Sequence, residues 1–185
     1  MSSQSPPMSA DELRSPFRYC PACRAEYPGQ NPREFHCQAC GFRYFHNVAA
    51  AGGALIVHDG HLLLTRRAHA PAAGTLDVPG GFVDPGETLE AAVARELEEE
   101  LGLRIEPQAL RYLFTLPNLY PYADVTYATS DTFFRVDLAT RPELVARDDV
   151  SEALWLRFGE ITPSSIGLAS ARMAVERFLG EQQVE

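Results

Sequence analysis

Arg95 and the glutamates Glu96, Glu98, Glu99 and Glu100 fall within six consecutive residues that read as part of a helix. Like charges at helical neighbour spacing repel, so the run needs a cause. Glu96, Glu99 and Glu100 stand at i, i+3 and i+4, which puts them within an arc of about 100° on one helix face. Glu98 points away from that arc and is expected to be solvated. A solvated acidic face is the ordinary explanation of a charge run. Three features weigh against it. The set sits in the C-terminal half of its helix, where the macrodipole disfavours anions. No lysine lies nearby. The segment before the helix, "GGFVDPGE", is rich in glycine, so its backbone can approach a ligand closely. A bound cation answers both the repulsion and the dipole. Hard divalent ions such as Mg²⁺ take oxygen ligands and complete their shell with waters and substrate phosphates. Arg95 is placed to orient a carboxylate, and Glu87, just before the helix, can be brought back by the loop.

A second constellation precedes it. The four cysteines, Cys20, Cys23, Cys37 and Cys40, form two C-x-x-C pairs separated by thirteen residues. Each pair lets two thiolates face one ion from a tight turn, and two such turns complete a tetrahedron. Zn²⁺ is the expected ion. A pair of disulfides would suit a secreted protein, and nothing in the chain points to export. Gly41 stands where a turn around sulfur favours positive φ. Tyr19, Phe35, Phe42 and Tyr44 are expected to cover the module, with His36 a surface or packing residue. The pattern looks like a zinc ribbon. Four thiolates leave no open position, so its expected role is structural. Arg18, Arg24, Arg33 and Arg43 leave a nucleic-acid-binding ribbon as the sharper alternative.

The elements that must hold these groups can be traced along the chain. Residues 1–16 read as a disordered polar tail and 17–47 as the ribbon, and from 48 to 182 the composition becomes that of a folded domain. "NVAAAGGALIVHDGHLLLTRR" is a strand, a tight turn at "HDG" and a second strand. "LDV" is a short extended piece, and "GGFVDPGE" a loop. The helix begins near Glu87 or Thr88, with Thr88 as N-cap. It buries Leu89, Ala92, Val93, Leu97 and Leu101, and stops at Gly102. A strand follows over about residues 110 to 115, and "DVTYATSDTFFRVDL" makes one or two more. "RPELVARDDVSE" is an acidic loop and "ALWLRF" a strand. "SIGLASARMAVERFLG" is a closing helix with Leu168, Ala171, Val175, Phe178 and Leu179 on one face. Strands and helices that share one core make the class α/β or α+β.

The stretch Gly81 to Leu103, "GFVDPGETLEAAVARELEEELGL", resembles the Nudix box in register, at Gly81, Glu87, Arg95, Glu96, Leu97, Glu99, Glu100, Gly102 and Leu103. The ribbon-first order resembles a zinc-ribbon subgroup that includes NADH pyrophosphatases and relatives of ADP-ribose pyrophosphatases. The resemblance implies an α/β fold, the Nudix α/β/α sandwich, with an N-terminal four-cysteine zinc ribbon. It implies a hydrolase, a Mg²⁺- or Mn²⁺-dependent pyrophosphatase that cuts a nucleoside diphosphate linked to another moiety. Carried over by position, Glu99 and Glu100 would hold the catalytic metal with the Gly81 carbonyl, and Glu96 would be a further metal ligand or would help activate water. Arg95 would hold that glutamate, and Glu87 would support the loop–helix geometry.

The substrate is less legible. The Ser-Gln-Pro-Trp segment of NADH pyrophosphatases is absent, and "LPNLYPYADVTY" stands there. "LLTRRA" begins like the coenzyme A pattern, but Ala72 occupies the place of its arginine. Pro117 stands near the register of a proline in ADP-ribose enzymes, and Tyr120 near a tyrosine linked to dinucleoside polyphosphates. ADP-ribose or a related nucleotide is the leading expectation. The alternatives are an NADH or dinucleotide pyrophosphatase, and a non-catalytic nucleotide sensor that uses the ribbon for partner contact. Arg66 and Arg67 are candidate phosphate ligands. Phe114, Tyr120, Tyr122 and Tyr127 are candidates to stack a base, although most should pack. Asp148, Asp149 and Glu152 are candidates for an assisting acid. His46, His58, His61 and His69 show no pairing pattern.

The chain carries 16 basic against 25 acidic residues, a net charge of -9. Its overall field therefore does not steer it to nucleic acid or anionic membrane, and neither is the expected partner. No run is long and apolar enough to span a bilayer, and the N-terminus lacks the apolar region of a signal peptide. A cytoplasmic protein is expected, and a homodimer is compatible with the sequence.

Overall fold

The computed structural model describes residues 17–27, 29, 31 and 33–182. The expected polar tail over 1–16 lies outside the described residues. Two compact units emerge: residues up to Val48 together with Tyr120–Ala128, and Ala49–Leu119 together with Thr129–Glu185.

In the first unit, β1 (Glu34–His36) pairs antiparallel with β2 (Arg43–Phe45). Its core is Cys20, Phe35 and Cys37, with Phe17, Ala25, Tyr27 and Phe42 packed around them. Phe35 and Phe42 fill their expected places. Tyr19 and Tyr44 do not close the module as expected and are exposed. Phe17, at 5.4 Å edge-to-face, and Tyr27, at 4.1 Å, reach the Phe35 ring instead. So small a module has room for one buried ring. Gly41 adopts φ 76° at the second knuckle, as its position required.

The second unit is built on a seven-stranded sheet. β3 (Ala49–His58) and β4 (His61–Arg67) form a hairpin. Asp59 and Gly60 both take positive φ in its turn, the geometry that matches strand twist. β5 (Leu76–Asp77) pairs with β4, and β6 (Gly80–Phe82) pairs with β3. The glycine-rich segment is therefore part strand, where a loop was expected. Glycine content masked the pairing, which here serves close approach. β7 (Arg111–Tyr122), β8 (Val125–Asp137) and β9 (Val150–Arg157) complete the sheet, in the order β5-β4-β3-β8-β7 with β9 on β4. β3 and β8 run parallel and the other mapped pairs antiparallel. β7 runs well past the expected end near residue 115. Pro117 and Pro121 interrupt no ladder, because β7 is the outer strand.

Helices cover both faces, as expected of an α/β/α sandwich. α1 (Leu89–Leu101) packs Val93, Leu97 and Leu101 on Ala54, Ile56, Leu63 and Phe134. α2 (Ala169–Gln182) packs Ala171, Ala174, Val175 and Phe178 on Leu55, Val57, Leu62 and Leu64. Alternate residues of β3 thus serve opposite helices, which is why "ALIV" reads as a continuous apolar run rather than an alternating one. Each of the buried Val, Leu, Ile and Phe side chains among these contributes roughly 1.5–3 kcal/mol.

Candidate active site

α1 begins where its cap dictates. The Thr88 side chain accepts a hydrogen bond from the Ala91 N–H at 3.2 Å, and Gly102 closes the helix at φ 66°. β6 lies beside α1 because glycines leave the space. A Cβ on Gly81 would stand 2.5 Å from the Glu96 carboxyl group, and one on Gly80 would run into the Gly52 carbonyl. A Cβ on Gly52 would meet Val93 at 2.5 Å. The absence of three side chains therefore sets the distance between β3, β6 and the acidic helix.

One guanidinium organises the carboxylates. Arg95 donates from Nε and Nη2 to the two oxygens of Glu87, at 2.8 and 3.0 Å. Its Nη1 donates to Glu96 at 2.8 Å and to Glu99 at 2.9 Å, and Nη2 also reaches the Phe82 carbonyl at 3.1 Å. The planar fork suits this task, which a point-charge ammonium could not match. Glu87 is drawn below the usual carboxylate range, chiefly by its hydrogen bonds from Arg95. The Arg95 guanidinium is held still more firmly protonated, first by Glu87. The shortage of counter-charge expected on this face is thus met from the helix itself. Glu98 turns away, exposed, and pairs with Arg104 at 2.7 Å.

Glu100 is the exception. It is buried, with only 7% of its surface exposed, and the Gly80 N–H donates to it at 3.1 Å. Burial first, and then the charges of Glu96, Asp77 and Asp149, push its carboxyl up to about 8. Glu96 is also raised, by burial above all and then by Glu99 and Asp148, against the pull of Arg95. Asp148 and Asp149 arrive with the loop after β8. That loop docks on the end of α1 through Val145 N–H to the Leu101 carbonyl at 3.1 Å and Arg147 N–H to the Glu100 carbonyl at 2.8 Å. Those bonds satisfy last-turn carbonyls that a helix leaves orphaned.

The remaining candidates lie elsewhere. Arg66 pairs with Glu152 at 2.9 Å and donates to the Gly74 carbonyl. Arg67 pairs with buried Asp77 at 2.8 Å and donates to the Pro71 carbonyl. Phe114 is buried, while Tyr122 and Tyr127 are exposed. Asp77, a lone acid between apolar Leu76 and Val78, is a site residue beyond those expected. Its isolation in "LDV" was the available signal. Burial raises its carboxyl, with Arg67 opposing.

Among the described residues the four cysteines form a cluster whose sulfurs lie within 4.8 Å of one another. Cys20 and Cys40 stand 3.7 Å apart, and Cys23 and Cys37 3.6 Å. A tetrahedral ion with sulfur at about 2.3 Å requires edges of roughly 3.8 Å, so the cluster fits one. Burial opposes ionisation of Cys37, but the N–H groups of Cys40 and Ala39 bring its thiol down to about 7. Among the described residues no three carboxylates approach so closely: Arg95 draws Glu96 and Glu99 while the Gly80 N–H holds Glu100. Their donor chemistry still suits a hard cation, and buried Glu100 has acidic neighbours whose repulsion a cation, like a proton, would relieve.

Sheet, flanking helices and an Arg95-centred acidic helix define a Nudix domain, and a NUDIX domain family model matches residues 46–176. The chain belongs to the Nudix hydrolase family. It is similar to the NAD-capped RNA hydrolase NudC of Deinococcus radiodurans, 32% identical over 155 residues, 81% of this chain and 52% of that protein. The NudC of Shigella dysenteriae is 31% identical over 166 residues, 89% of this chain and 61% of that one. The chain thus spans between about half and three fifths of the length of these relatives. A Nudix hydrolase from Nitrosomonas europaea shares the fold, with a TM-score of 0.66 over 90% of this chain and 93% of that one at 22% identity. No described helix is long and apolar enough to cross a membrane.

Proposed function

We propose that this chain is a divalent-cation-dependent pyrophosphohydrolase that cleaves the diphosphate of a nucleoside diphosphate linked to a second group. The observation that carries it is Glu100, a carboxylate buried among acids beside an arginine-braced helix. Mg²⁺ or Mn²⁺ would be held by Glu96, Glu99, Glu100 and the Gly81 carbonyl. When bound, such an ion neutralises the diphosphate and lowers the pKa of water. The chain's own groups do the positioning. Arg95 holds Glu96 and Glu99 at one edge of the helix, the Gly80 N–H holds Glu100 at the other, and Glu87 ties the loop to Arg95. Glu96, half-buried and raised, is suited to take a proton from the attacking water. Asp148 and Asp149 press charge on the same two glutamates and are the assisting acids we favour over Glu152, which is engaged with Arg66. Zn²⁺ in the cysteine cluster is proposed as structural.

ADP-ribose or a related nucleotide is the leading substrate class. A second reading, NADH or an NAD-capped RNA, is favoured by the names of the NudC relatives, while the missing Ser-Gln-Pro-Trp segment counts against it. A panel of ADP-ribose, NADH and NAD-capped RNA, assayed with Mg²⁺ and with chelator, separates the readings by product. Mononucleotide release that requires Mg²⁺ is expected. Tight binding without cleavage across the panel would instead mark a nucleotide sensor.

Arg95→Lys preserves the charge but not the fork. Turnover should fall about 10–100-fold, the range seen when a group that orients metal ligands is lost. The Mg²⁺ concentration for half-maximal rate should rise as well. Unchanged Mg²⁺ dependence would deny Arg95 its positioning role.

A further inference from the structure

We propose that the exposed aromatic and arginine surface of the first unit binds single-stranded RNA. Among the described residues nine large hydrophobic side chains are exposed, and six of them, Tyr19, Tyr44, Phe45, Val48, Tyr122 and Tyr127, belong to this small unit. Tyr19, Phe45 and Tyr122 are each more than half exposed. So many exposed rings in one small unit leave it apolar surface with which to meet a partner.

The charges select the partner. All 16 basic residues of the chain are arginines, and the whole carries -9. Among its described residues this unit sets Arg18, Arg24, Arg33 and Arg43 against Glu26, Glu34 and Asp124, a balance of the opposite sign. Arg43 pairs with Glu34. Arg18, Arg24 and Arg33 are exposed, and none has a side-chain partner among the described residues. Exposed guanidiniums and exposed rings within one small unit are what an unpaired nucleic-acid strand uses: phosphates meet the cations and bases stack on the rings. On the β1–β2 ribbon, Phe45 and Arg43 share one face with their cross-strand partners Glu34 and His36, so the exposed ring stands on the same face as the Arg43–Glu34 pair. A duplex offers phosphates but no unstacked bases, which is why the strand is single. The overall charge of -9 alone points away from nucleic acid, while the ribbon's arginines leave it open. Net charge describes the whole chain, and the distribution is uneven.

The inference draws on the NAD-capped RNA reading only for the arrival of an RNA chain, and its test needs no hydrolysis. The zinc-loaded full chain is titrated into a fluorescently labelled, uncapped single-stranded oligoribonucleotide at 25 to 200 mM salt, read by anisotropy. With three phosphates engaged, log affinity should fall against log salt with a slope of about -2, at about 0.7 per contact for single strands. Arg18→Ala, Arg24→Ala and Arg33→Ala should each flatten the slope by about 0.7. Phe45→Ala should weaken binding about tenfold with the slope unchanged. These side chains are exposed, so zinc content and Tm should match wild type and show that the variants fold. No binding at 25 mM salt, as expected if the surface serves a protein partner, overturns the proposal. So does wild-type affinity in all four variants, or equal affinity for a duplex. RNA binding without any nucleotide hydrolysis would sustain this surface and sink the proposed enzyme. Hydrolysis of ADP-ribose without RNA binding would do the reverse.

Discussion

Glu100→Gln is expected to lower turnover by about 10³-fold and, in chelator, to make the protein more stable at alkaline pH. The first effect follows from removing a charged ligand from a cation site worth several kcal/mol of transition-state stabilisation. The second follows from linkage. Glu100 has a reference value of 4.5 and is raised to about 8 in the fold. Between those values the native state keeps a proton that the unfolded chain has released. Stability from this position is therefore fully present below about 4.5 and declines as pH rises through 8, by a few kcal/mol at most. Glu96 and Asp77, raised by burial, act in the same direction, and Glu87, lowered by Arg95, acts in the opposite one. Glutamine has no proton to lose. Thermal unfolding at pH 6 and 9, with EDTA and with Mg²⁺, measures the stability effect, and a Mg²⁺-dependent hydrolysis assay measures the turnover. Wild type should lose more than the variant on going to pH 9 in EDTA, and Mg²⁺ should restore only wild type. A pH-independent gap between the two proteins would refute the assignment.

Cys37→Ser should dismantle the first unit and leave the second folded. The core of the first unit is Cys20, Phe35 and Cys37, so two of its three buried residues are the proposed metal ligands. A module this small cannot offset its chain entropy by burial alone, whereas a structural zinc contributes on the order of 10 kcal/mol or more. Wild type should carry about one zinc per chain. The variant should carry much less, and limited proteolysis should cut between residues 17 and 48 while a fragment from about residue 49 survives. A variant that keeps full zinc and equal protection would show that the thiols are not the anchor. RNA affinity should fall with the zinc, which links this experiment to the surface proposed above.

The two chemical clusters were legible because each is a local pattern. The cysteine spacing, the Thr88 cap, the Gly102 stop and the apolar stripe of α1 depend on neighbours in sequence, and each stands where the residues placed it. What escaped depends on partners far along the chain. β6 was taken for a loop because its pairing with Gly52 and Gly53 on β3 is invisible in "GGF". β7 was cut short because its edge position, which tolerates Pro117 and Pro121, is a property of the sheet. The exposure of Tyr19 and Tyr44 follows from how few rings the ribbon core can hold. The roles of Arg66 and Arg67 turn on Glu152 and Asp77, brought close only by sheet pairing. Asp148 and Asp149 were singled out, but their approach to Glu96 and Glu100 awaited the docking of their loop on α1.

The parallel pairing of β3 with β8 also bears on how the chain acquires its site in time. The centre of the sheet joins Ala49 to Thr129 and Val57 to Asp137, a non-local closure of the kind that slows folding. During synthesis from the N-terminus, the ribbon and the acidic helix leave the ribosome well before the strand that completes the sheet beneath that helix. Until Asp137 has emerged, α1 lacks Phe134 and Val136 of its packing surface, and Glu100 has not reached its buried setting. The carboxylates are then solvated rather than held in place. The proposed cation site is thus completed by a strand that contributes none of its ligands.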